Sequence, residues 1–85
     1  MEATIREVGQ EIIELVVAKN HKYGNSALEP LRVFSKASPV EQISVRVDDK
    51  LSRIANRGFH PESDEDTVQD LIGYLLLLLV HRRST

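Results

Sequence analysis

Asp66 and Asp70 stand four residues apart in the stretch EDTVQDLIGYLLLLLV, a spacing that puts both carboxylates on one face of a helix, with Tyr74, Leu77 and His81 continuing that face and Gly73 at its edge. Two like charges repel at that spacing. The positive end of a helix dipole accounts for Asp64, Glu65 and Asp66 near a helix start. It does not account for Asp70, which lies beyond the first turn and just ahead of a leucine run, where an unpaired carboxylate is costly to bury. Asp70 therefore requires a cation. A hard divalent ion such as Mg²⁺ prefers carboxylate and phosphate oxygens, and Asp48 and Asp49 on the preceding helix offer it further ligands. A basic side chain reaching across a helix interface, from Arg46, Lys50, Arg53 or Arg57, answers the same need. The two readings are compatible, and both stay open at this point.

At about 100° per residue, Arg46, Lys50, Arg53 and Arg57 gather along one edge of their helix. Left to themselves they read as a solvated flank. Beside an acidic metal site, Lys50 and Arg53 become a clamp for phosphate oxygens. A metal that bridges phosphate oxygens and activates water, with cations offsetting charge on the leaving group, is what binding or cleaving a polyphosphate requires. The turn His21-Lys22-Tyr23-Gly24-Asn25-Ser26 adds a ring, a cation, an amide and a hydroxyl that suit a base or sugar. The plainer alternative is a helix C-cap with Gly24 in the left-handed conformation and Tyr23 packed on the core. The histidines at 21, 60 and 81 lack zinc-ligand spacing, and no P-loop or GxGxxG occurs.

Three helices must position these groups. Thr4 and Glu7 read as a capping box, and Ile5, Val8, Ile12 and Leu15 recur at helical spacing, which predicts a first helix from about residue 4 to about 21 with Gly24 as its stop. Ser38, Pro39 and Glu41 start a second helix. Its stripe is Val40, Ile43, Val47, Leu51 and Ile54, and Asn56, Arg57 and Gly58 end it. Ser63 or Asp64 caps a third helix reaching about Arg83. Residues 22–37 carry Leu28, Leu31, Val33 and Phe34 among Gly24, Asn25 and Pro30, so they read as a structured loop or short helical turn and not a linker. No period-two stretch suggests a strand. The expected fold is all-α, a small bundle forming one domain over residues 1–85.

The composition sets outer bounds. Among 85 residues, 13 acidic and 11 basic side chains leave a net charge of −2, without the basic excess a nucleic-acid polymer demands. With no cysteine there is neither a disulfide framework nor a thiolate zinc site. The apolar run from Leu71 to Val80 is about half a bilayer crossing, and the N-terminus resembles no signal peptide, so the expected address is cytoplasmic. Val45 lies away from the main stripe of its helix, and the third helix is apolar almost all round. Three helices cannot cover that much surface, and a homo-oligomer is the expected solution.

The strings KNHKYGNSA, VRVDDKLSRI and EDTVQDLIGYLLLL resemble the nucleotide modification associated domain type 1 family, common in phage genomes. That family is related in helical pattern to the all-α nucleoside triphosphate pyrophosphohydrolases of the MazG and dimeric dUTPase kind. The resemblance spans roughly residues 11 to 82, through K-x-Y-G at Lys22 to Gly24, D-K-x-x-R at Asp49, Lys50 and Arg53, and E-D-T-x-x-D-L-x-x-Y from Glu65 to Tyr74. It implies Mg²⁺-dependent release of pyrophosphate from a nucleotide. Asp49, Asp66 and Asp70 would serve as the catalytic, metal-holding carboxylates, with Lys22, Lys50 and Arg53 on phosphates and Tyr23, Asn25 and Tyr74 on base or sugar. The chain departs from the wider superfamily's E-x-x-E and E-x-x-D pattern, having Asp48 and Asp49 on the second helix and Thr67 where the last glutamate would stand; Glu11 and Glu14 form E-x-x-E only on the first. Two rival expectations are a binder that sequesters a nucleotide or cyclic nucleotide signal without cleaving it, as a phage could use against a host defence in the host cytoplasm, and a purely structural helical dimer.

Overall fold

Ser38 shows how directly local sequence sets the architecture. Its extended backbone (φ −65°, ψ 161°) lets its Oγ accept from the Glu41 N–H at 3.1 Å, with Pro39 in the first helical position, the arrangement that satisfies an otherwise orphaned N–H. The computed structural model describes residues 1–30 and 32–84, and among them it is all-α: α1 (Glu2–Lys22), α2 (Pro39–Arg57) and α3 (Glu65–Arg83). Leu31, one of the apolar residues expected to order the first connection, and Thr85 lie outside the described residues.

The first helix starts earlier than its sequence signal. Thr4 is inside α1, the Ile5 N–H bonds to the Met1 carbonyl at 3.0 Å, and no side chain caps the terminus. The expected Thr4/Glu7 capping box is therefore absent, since a capping residue must stand outside the helix. Glu2 instead occupies the first turn, where the dipole favours it, and pairs with Arg6 at 3.0 Å. At the other end Gly24 has φ +62°. The Gly24 N–H bonds to His21 O at 3.4 Å and the Asn25 N–H to Asn20 O at 3.0 Å, the paired 5→2 and 6→1 bonds of a Schellman motif. Asn25 follows at φ +62°, a conformation asparagine tolerates better than most side chains.

The second connection turns on Asp64, which is 1% exposed. Gly58 closes α2 at φ +81°, its N–H on Ile54 O at 2.8 Å. Asp64 holds the N-cap position of α3, yet its side chain makes no cap bond. Its carboxylate points back into the corner, accepting from the His60 backbone N–H at 2.7 Å and from Arg57 at 3.1 Å. The buried charge is thus paired and hydrogen-bonded, the condition under which such burial is tolerated.

α3 is the central element. It packs on α2 and on α1, while α1 and α2 do not pack on each other. Gly73, buried in α3, permits the α1 approach: a Cβ there would stand 3.1 Å from Val16 Cγ2. Among the described residues, Ile12 and Ile43 are the buried large apolar side chains. Of the α2 stripe, Ile43 is buried and Val47 and Ile54 half-buried, whereas Val40 and Leu51 are exposed, as is Val45 on its second side. In the first connection Leu28 is half-buried while Val33 and Phe34 face solvent. No helix among the described residues is long and apolar enough to cross a membrane.

Candidate functional site

Lys50 Nζ on α2 stands 3.2 Å from Asp70 Oδ2, and Lys19 Nζ on α1 stands 3.4 Å from Asp70 Oδ1. The Asp70 carboxylate is thus the polar link among all three helices, beside the otherwise apolar approach of Gly73 to Val16. The Lys50 side chain is only 17% exposed and Asp70 25%, so both ions are largely withdrawn from water, and each needs the other. The cation Asp70 requires is supplied by two ammonium groups. Lys50 is the interhelical partner that its edge of α2 offered; Lys19 is an addition from α1.

Around this link lies a cleft of about 430 Å³, within the range that holds small ligands. α1 contributes Leu15, Val16, Lys19 and Asn20, the turn after it Tyr23, Ser26 and Ala27, and α2 contributes Arg46. α3 presents Gln69, Asp70, Gly73, Tyr74 and Leu77, positions that recur at one helical face. Both tyrosines of the chain therefore meet at the cleft. Tyr23 is 60% exposed and not packed on the core, and Lys22 Nζ lies 5.4 Å from its ring centroid, a cation–π contact that brings Lys22 to the cleft margin. Arg46 makes no ion pair with any described residue.

Asn20 has a further property. Its Oδ1 is buried and has no hydrogen-bond donor among the described residues. Asn20 also lines an apolar groove of about 440 Å³ with Asn25, Leu28, Leu76 and Leu77, so it stands between the two cavities. A buried unpaired carbonyl costs about 1–3 kcal/mol.

The expected residues thus divide. Tyr23, Tyr74 and Asp70 line the cleft, Lys50 reaches it through Asp70, and Lys22 through Tyr23. Asn25 lines the neighbouring groove. Arg53 pairs along its own helix with Asp49 at 3.4 Å, both well exposed, and neither lines the cleft. Arg57 is committed to Asp64. Asp66 sits exposed in the first turn of α3. Among the described residues no group of three or more acidic or histidine side chains could hold a metal ion. Asp49, Asp66 and Asp70 do not converge in one chain, and Asp70, the acid at the cleft, is neutralised by lysines. These residues do not fit a Mg²⁺ ion, which binds through carboxylates free to coordinate it.

Sequence reasoning missed Lys19, Asn20 and Gln69. A signal existed for each: Leu15, Lys19 and Tyr23 follow one another at i+4, as do Val16 and Asn20, and Gln69 is four residues before Gly73. Chemically the arrangement offers stacking surfaces, amide and hydroxyl groups for a heterocycle's edge, and an unpaired guanidinium for an anion. No protein-family model matches the chain, and no curated protein and no solved structure matches it either.

Proposed function

We propose that the chain binds a nucleotide, or a ligand derived from one, in the cleft between α1, α2 and α3. The observation that carries this reading is the convergence of Tyr23 and Tyr74 with Arg46, Lys19 and Asp70 on one cavity. Aromatic rings take a base by stacking. Asn20, Gln69 and Ser26 supply the mixed donors and acceptors that a base or sugar edge requires. Arg46 offers a planar fork for phosphate oxygens. The likeness of the K-x-Y-G and E-D-T-x-x-D-L-x-x-Y segments to a nucleotide-linked family points the same way.

Charge favours a binder of modestly charged nucleotides. Lys19, Arg46 and Lys50 against Asp70 give a local balance of 3 − 1 = +2. A single phosphate group carries roughly two negative charges and matches it; a triphosphate exceeds it, and among the described residues no group of three or more acidic or histidine side chains is placed to hold a metal that would bring in the missing positive charge. The binder reading therefore stands ahead of Mg²⁺-dependent pyrophosphate release.

The test is calorimetric titration with nucleosides and their mono- and triphosphates, each with EDTA and with Mg²⁺, followed by chromatography of the mixtures. Saturable binding of a phosphorylated nucleoside with no product formed is the expected result. Pyrophosphate release with Mg²⁺ would replace the binder with an enzyme, and no heat with any compound would remove the nucleotide reading.

A further inference from the structure

We infer that a second copy of this chain packs on α3 through Val68, Ile72, Leu75 and Leu79, antiparallel and about a two-fold axis. The surface of the single chain calls for such cover. It exposes 6746 Å², whereas a folded monomer of 9.6 kDa exposes about 5,100 Å². The surplus is roughly 1,600 Å² per chain, about twice what each partner buries in a standard interface. The radius of gyration, 14.1 Å, likewise exceeds the roughly 12 Å of a closed domain of this length.

The face follows from the helix itself. At about 100° per residue, Val68, Ile72, Leu75 and Leu79 fall within a window of about 60°, on the side of α3 turned away from Gly73 and hence from α1. Ile72, Leu75 and Leu79 are 42%, 51% and 64% exposed. No charged side chain interrupts this window. Val68, at the start of the stripe, is half-buried, while the three residues that follow it on this side stay exposed with α1 and α2 both packed on α3.

The orientation follows from the ends of the stripe. Glu65 in the first turn and Arg83 in the last are 83 − 65 = 18 residues apart, about five turns, so they project in the same direction, next to Ile72. Antiparallel pairing sets Glu65 beside Arg83 of the partner subunit at both ends and opposes the two helix dipoles. Parallel pairing would set like charges together at both ends. A two-fold arrangement is self-complementary, as an isologous interface must be. This inference stands independently of the nucleotide reading.

Light scattering of the full chain at tens of micromolar, in low salt, tests it. Two copies give 2 × 9.6 = 19.2 kDa; a mass of 9.6 kDa, or of any other multiple, overturns the inference. Leu75→Glu with Leu79→Glu should give a helical monomer by circular dichroism and light scattering, and a variant that folds and stays dimeric overturns the proposed face. Should that variant fail to fold, the exposed termini of the stripe decide. Glu65→Arg alone should weaken the dimer at least fivefold, and Glu65→Arg with Arg83→Glu should restore it. A double variant no tighter than the single one overturns the antiparallel arrangement.

Discussion

Lys50 reaches from α2 to within 3.2 Å of Asp70 on α3, with both side chains at least three-quarters withdrawn from solvent. α1 adds Lys19 to the same carboxylate. One acid thus joins three helices, two of which have no packing of their own with each other. Removing either partner of such a pair is costly because the remaining ion keeps its desolvation without its compensation.

Asp70→Asn should therefore lower stability by about 2 kcal/mol, and by the same amount in EDTA and in excess Mg²⁺. Thermal melts of both proteins under both conditions check this. A wild-type melting temperature that rises with Mg²⁺, and an Asp70→Asn protein that does not respond, would instead return Asp70 to a metal-ligand role, since a ligand stabilises the state that binds it.

Arg46→Ala should weaken nucleotide binding at least tenfold, roughly the 1.5–3 kcal/mol of a hydrogen bond to a charged group, with little change in melting temperature because Arg46 pairs with no described residue. Arg53→Ala should leave binding unchanged, because Arg53 pairs with Asp49 away from the cleft. Titration isotherms of the two variants, measured side by side, distinguish the Arg46 site from one on the outer edge of α2.

Asn20→Leu replaces a buried carbonyl that lacks a donor with an apolar group of similar size. Stability should hold or rise by up to about 1 kcal/mol, while nucleotide affinity falls as the amide at the cleft is lost. A variant that is destabilised would mean that the Asn20 amide is satisfied in solution.

Asp64→Ala removes a carboxylate that is 1% exposed and leaves both Arg57 and the His60 N–H without their acceptor. A loss of about 3 kcal/mol is expected, with faster hydrogen exchange at the His60 amide, while nucleotide binding persists below the new melting temperature. An unchanged exchange rate at His60 would show that the corner is held by other groups.

The sequence by itself determined the helices and several of their ends. Ser38, Pro39 and Glu41 act within one turn, and Gly24 and Gly58 relieve backbone conformations that other residues resist, so these signals needed nothing distant. The Thr4 signal misled because Glu2 and Ala3 continue a helix outward at no cost, and a local motif does not choose between two helical starts. The need of Asp70 for a cation was also legible, because burial beside a leucine run follows from adjacent residues. Which cation answered it was not. Lys19 lies 51 residues from Asp70 and Lys50 lies 20, and only the placement of α1 and α2 against α3 brings those ammonium groups to the carboxylate while leaving Asp49 and Arg53 to pair along their own helix. The same placement decided that Tyr23 and Tyr74 share a cleft and that Asp64 turns back on Arg57. Charge pairing at a few ångströms depends on helix packing, and packing depends on how close backbones approach, here on Gly73 against Val16, a relation that spacing along one helix does not contain.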